Sequence, residues 1–132
     1  MFQLPPNWHV NSKRLKNFIK VLPSGHRYTF EFRDKSWLTE EIYQILKNHN
    51  VALCIYDYKD YRSPEKLTAD FVYIRLHGPE KAYEGSYDGR RLNAYAKKFK
   101  KWKDNGRDVF CYFDNDQKAC APHDAKNLIR KL

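Results

Sequence analysis

Two arginines, a histidine and a run of carboxylates carry the chemistry open to this sequence. Glu31 and Arg33 stand two apart in YTFEFR, Arg75 and His77 stand two apart in ADFVYIRLHG (Ala69 to Gly78), and Asp114-Asn115-Asp116 directly follow VFCYF. A spacing of two along an extended strand points both members of a pair to the same face. Guanidinium groups at Arg33 and Arg75 can hold a phosphate by forked hydrogen bonds. His77 or Glu31 can move a proton. Asp57, Asp114 and Asp116 offer oxygen ligands for a divalent cation that activates water. The catalytic candidates are therefore His77, Glu31 and Asp114, and the ligand-binding candidates are Arg33, Arg75, Asp57, Asn115, Asp116 and Gln3. A plainer alternative stands beside each. Glu31, Arg33 and Arg75 can form a buried ion network, because interior charges must be paired, and Asp114 to Asp116 can be a turn whose side chains bond to local backbone. No phosphate-loop, calcium-loop or paired-histidine metal motif supports the catalytic option.

These residues need elements to position them, and the hydrophobic periodicity supplies a set. Gln3 sits in a short strand stopped by Pro5-Pro6. From Asn11 or Ser12 a helix places Leu15, Phe18, Ile19 and Leu22 on one side, ending at Pro23-Ser24-Gly25. Tyr28 to Arg33 alternates as a strand. Ser36 or Thr39 can cap a helix with Leu38, Ile42, Ile45 and Leu46 as its buried stripe. Val51 to Asp57 is a nearly unbroken apolar run, the pattern of a parallel strand covered on both faces. Tyr58 to Leu67 has no period and reads as a loop. Ala69 to Gly78 is the central strand, also expected to be covered on both faces. A Gly- and Tyr-rich loop follows, then a helix from about Asp88 to Asn105, the strand Val109 to Phe113, and a last helix with Ala125, Leu128, Ile129 and Leu132 as its stripe. Alternation of strand and helix predicts right-handed crossovers and a parallel sheet whose polar strand ends gather on one rim. Ligands bind at that rim in α/β folds.

The 132 residues suit a single domain and are too few for a complete eight-stranded α/β barrel, which takes roughly 200 residues or more. A composition of 42% hydrophobic and 16% aromatic residues excludes a disordered chain. The net charge of +9 favours phosphorylated ligands, nucleic acid or another polyanion. Cys54, Cys111 and Cys120 are odd in number and form no Cys-x-x-Cys pair. With no transmembrane run and no signal-like start, reduced thiols in a cytoplasmic protein are expected.

In order along the chain, QLPP at Gln3 to Pro6, EFR followed by Ser36-Trp37, TADFVYIRLHG at Thr68 to Gly78, YEGSY at Tyr83 to Tyr87, and YFDND with A-P-x-x-A at Ala121 to Ala125 resemble the carboxyl-terminal half of the DUF72 (YecE-like) family. The resemblance implies a TIM-type barrel with no established activity, and a chain lacking the family's amino-terminal half. Two positions depart from the family pattern. Asp114 stands where Asn is usual, and Ala119 where Gly is usual. Half a barrel leaves its outer strands unpaired and turns Tyr73 and Phe110 or Tyr112 to water. The expected remedies are a homodimer, pairing with a separately encoded amino-terminal half, or relaxation into an open flavodoxin-like sheet. Two functions follow as expectations: a rim site acting on a phosphate-bearing substrate, as a hydrolase of phosphate esters would, or a non-catalytic nucleic-acid-binding module. The module would use the cations of two helices, Lys13, Arg14, Lys16 and Lys20 on one and Arg90 to Arg107 on the other. An inactive fragment is the third reading.

Overall fold

The computed structural model describes residues 1–58 and 61–132. Five parallel strands lie in the order in which the chain makes them. They are β1 (Phe2–Leu4), β2 (Thr29–Phe32), β3 (Ala52–Tyr58), β5 (Phe71–Leu76) and β6 (Asp108–Phe113), and a two-residue strand, β4 (Tyr61–Arg62), pairs antiparallel with β3. Three helices fill crossovers, α1 (Ser12–Lys20), α2 (Glu40–Asn48) and α3 (Gly89–Asp104), and a fourth, α4 (Cys120–Ile129), follows β6; the connection from β3 to β5 carries β4 instead. Because the order never reverses, right-handed crossovers place every helix on one face. The sheet is open, but the missing reversal separates it from a flavodoxin-like fold, which needs a switch point in its strand order. It is the strand order of a barrel segment.

Local sequence explains the helix starts. Asn11 Oδ1 accepts from Arg14 N, Thr39 Oγ1 from Ile42 N, and Asp88 Oδ1 from Arg91 N, so α1, α2 and α3 each have a side-chain cap for their unpaired amides, whereas α4 starts after Ala119 without one. Ser36, the alternative cap for α2, instead accepts from Val10 N. The apolar stripes pack into two clusters on the helix-covered face. Leu15, Ile19, Ile42, Ile45 and Leu46 meet Phe30, Phe32 and Leu53, while Leu92, Ala96, Phe99 and Leu128 meet Ile55, Val72, Ile74 and Leu76. Each of these larger side chains contributes about 1.5–3 kcal/mol by leaving water.

Three expectations need correction. The loop expected over Tyr58 to Leu67 includes residues 59 and 60, which lie outside the described residues. Around them β3 extends to Tyr58 and pairs with β4, and Ser63 Oγ accepts from Tyr56 N. Period alone misses this because two paired residues have no period. The stripe of the last helix is only half buried: Leu128 is covered, but Ile129 is 68% exposed. Nor is the central strand covered on both faces by helices, since Tyr73 is only half-buried and its neighbours Phe110 and Tyr112 on β6 are 37% and 48% exposed.

Candidate functional site

The face turned away from the helices carries the charges. Parallel register sets Gln3 level with Glu31, and Tyr56 level with Arg75 and Tyr112. Arg33, His77 and Asp114 follow directly after the ends of β2, β5 and β6 and continue the same alternation. Six candidates therefore meet at the carboxyl end of the sheet: Gln3, Glu31, Arg33, Arg75, His77 and Asp114.

Glu31 is the centre of this group and has no exposed surface. Its Oε2 accepts from Arg75 Nη1 at 2.9 Å, and its Oε1 is ion-paired with Arg33 Nε. Arg75 also donates from Nη1 to Gln3 Oε1 and from Nε to Asp114 Oδ2, both at 2.9 Å. Its Nη2 has no hydrogen-bond partner among the described residues. The guanidinium of Arg33 lies over the rings of Tyr56 and Tyr58, 4.8 Å from each centroid. This is the buried ion network of the plainer reading, with one carboxylate holding two guanidiniums.

His77 is completely buried, with Tyr56, Tyr58 and Tyr83 packed edge-on against its ring. Arg33 Nη2 lies 3.1 Å from Nε2. A guanidinium cannot accept, so Nε2 must, and the proton of the neutral ring belongs on Nδ1. There it faces Asp114 Oδ2 at 3.4 Å, short of a well-formed hydrogen bond. Burial, with the positive charge of Arg75 second, lowers the pKa of His77 to about 4. The imidazole is thus neutral at physiological pH, and both nitrogens face protein groups. Among the charged groups around it, Asp114 reaches solvent most, with 27% of its side chain exposed, against 18% for Arg75 and 12% for Arg33.

The loop after β5 closes this end. Gly78 has φ +117°, and a Cβ there would lie 2.4 Å from Glu84 O, so only glycine lets residues 81–84 fold back over the strand end. Tyr83 N donates to His77 O, and Tyr87 OH accepts from Gly78 N.

Three candidates lie elsewhere. Asp57 points to the helix side, where its carboxylate accepts from Tyr95 OH of α3 and faces Arg62, and burial raises its pKa. Strict alternation anticipates this, since Val51, Leu53, Ile55 and Asp57 share one parity and the middle two are core. Asn115 is buried in a separate clasp, donating from Nδ2 to Gly85 O and to Asp124 Oδ2. Asp116 is exposed in the turn that follows. Asp57, Asp114 and Asp116 are therefore not brought together as a cation site, and among the described residues no group of three His, Cys, Asp or Glu side chains could hold a metal ion. Sequence reasoning missed Tyr56, whose hydroxyl donates to Phe32 O while its ring supports Arg33. Its parity with Cys54 was the available signal; its register with Arg75 is set by the fold.

Comparisons with known proteins agree with this architecture. The model of a family described as protein of unknown function DUF72 matches residues 1–132. A crystal structure of a DUF72 family protein from Thermotoga maritima superposes with a TM-score of 0.80 at 21% identity, covering 99% of this chain and 56% of that one. Two crystal structures of a DUF72 family protein from Enterococcus faecalis give TM-scores of 0.79 and 0.78 at 16% and 17% identity, covering 57% and 59% of its chain. The chain thus spans a little over half the length of these relatives, and at such identities the likeness establishes the fold alone. No curated protein matches the sequence. No helix among the described residues is long and apolar enough to cross a membrane.

Proposed function

Starting from a chain that belongs to the DUF72 family, we propose that the carboxyl-end rim binds a phosphate-bearing ligand on Arg75. The observation that carries this reading is the way Arg75 is held. Glu31, Asp114 and Gln3 fix Nε and Nη1, which leaves Nη2 aimed by the others and without a partner among the described residues. A donor already fixed in place loses little side-chain freedom when an anion arrives. Arg33 adds a second guanidinium beside it. His77, Glu31 and Asp114 divide the remaining roles: Glu31 orients both arginines, His77 packs neutral beneath them, and Asp114 fixes Arg75 Nε from the solvent side. The charges of Arg33, Arg75, Glu31 and Asp114 cancel, so affinity rests on the aimed donor and the net positive chain and falls as salt rises.

Titration of the chain with inorganic phosphate, followed by calorimetry, tests the proposal. Binding should weaken about tenfold or more in Arg75→Ala and partly recover in Arg75→Lys. Equal binding by all three proteins would refute it.

A second reading rests on different residues. Lys13, Lys16 and Lys20 of α1 and Arg90, Lys97, Lys100, Lys101 and Lys103 of α3 are exposed and make no ion pair among the described residues. A nucleic-acid-binding module using these helices would bind many sequences with a steep salt dependence and would ignore Arg75→Ala.

A further inference from the structure

The exposed apolar surface is not scattered. Apart from Tyr83, every exposed large apolar side chain among the described residues belongs to the β1–α1 segment or to β6 and the α4 end of the chain, the two edges of the sheet. Each edge has an apolar groove. At β6 a groove of about 580 Å³ runs between the strand and α4, lined by Val109, Phe110, Phe113, Leu128, Ile129 and Leu132. At β1 one of about 430 Å³ is lined by Phe2, Leu4, Trp8, Phe18 and Trp37.

The two grooves lack opposite things. The β6 groove has a helix, α4, with no strand under its outer half. The β1 groove has a strand bearing apolar Phe2 and Leu4, with α1 on one flank and no helix on the other. A strand laid parallel to β6 beneath Ile129 fills the first, and a helix laid beside Phe18 and Trp8 fills the second. One contact, β6–α4 of one molecule against β1–α1 of another, does both, and it repeats the strand–helix–strand spacing already used three times within the chain. The surface area agrees. A monomer of 15.9 kDa exposes about 7,350 Å² by the usual scaling, whereas this chain exposes 8002 Å². The excess, about 650 Å², approaches the roughly 800 Å² per partner of a stable interface.

We propose that two copies of this chain pair about a two-fold axis running along the strands, with β6 and α4 of each set against β1 and α1 of the other. The two junctions are identical by symmetry, and Phe110 and Tyr112 become enclosed between the copies. Each copy carries +9, so charge opposes the pairing and added salt strengthens it.

Light scattering on a sizing column over a range of concentrations, with circular dichroism to confirm folding, tests this. The 132-residue chain should run as a dimer that tightens as sodium chloride is raised. Ile129→Glu and Phe18→Ser, on opposite sides of one junction, should each raise the dimer dissociation constant about tenfold or more, while the charge-conserving Lys100→Arg on the exposed face of α3 leaves it unchanged. A folded monomer at every concentration overturns the proposal. So does a dimer indifferent to both junction substitutions, or one that loosens with salt. A monomer that instead forms a one-to-one complex with a separately produced amino-terminal DUF72 segment overturns it too, and identifies the alternative occupant.

Discussion

Asp114 and Asn115 are adjacent and chemically alike, yet they belong to two polar clusters of opposite character. Asp114 continues the alternation of β6 onto the charged face, where it shares Arg75 with Glu31 and keeps part of its carboxylate in water. Asn115 turns the other way into a closed clasp. There Asp124, with no exposed surface, accepts from Ser86 Oγ, Tyr87 N and Asn115 Nδ2 and ties the loop after β5 to α4. The clasp is spent on holding two segments together. The rim cluster keeps an unpartnered donor on Arg75 and a carboxylate in reach of solvent. What separates a site from a brace here is the orientation that strand parity assigns to each side chain, and how far solvent reaches it: the clasp also leaves an atom over, Asn115 Oδ1, but buries it.

The largest expected effect tests the brace. Asp124→Ala strands two buried donors, Tyr87 N and Asn115 Nδ2, and frees the hydroxyl of exposed Ser86, and should cost about 3 kcal/mol in urea unfolding, with phosphate affinity unchanged wherever the protein remains folded. A comparable loss of binding would mean that the two clusters are one unit. The next tests the rim. His77 is held neutral in the folded chain with a pKa of about 4 against 6.5 when unfolded. The unfolded chain therefore takes up the proton first, and stability present above pH 6.5 drains away as pH falls towards 4. The loss should be about 2–3 kcal/mol, and it should be missing from the pH dependence of His77→Gln measured over the same window. A wild-type profile parallel to that of the variant would show that the ring is not kept neutral. The smallest effect is the most diagnostic. Asp114→Asn removes one of the two negative charges that neutralise the arginines, so it should cost no more than about 1 kcal/mol in stability while strengthening phosphate binding a few-fold. Weaker binding in calorimetry would show that the carboxylate itself contacts the ligand.

Much of the fold is legible in the residues, and for a definite reason. Apolar stripes such as Ile42, Ile45 and Leu46, and caps such as Asn11 and Thr39, act within a few residues of themselves, so their pattern survives without tertiary information. The grouping of Glu31, Arg33, Arg75 and His77 follows in the same way from alternation in two parallel strands. What lies beyond this depends on distant partners. Nothing near Asp57 announces that Tyr95 of α3 will meet it, and nothing near Asn115 announces Asp124. The exposure of Ile129 is equally invisible, because a helical stripe states which side is apolar and not whether anything lies against it.

Cys54 lies on the charged face beneath Glu31, with its thiol pointing at that carboxylate and fully buried; burial first and the neighbouring negative charge second hold it protonated. Alkylation requires a thiolate that a reagent can reach, and here both are denied until Glu31 and its two arginines part. The molecule thus contains its own clock: the rate at which Cys54 reacts, set beside the half-exposed Cys120, counts how often the charged centre of the sheet opens to water.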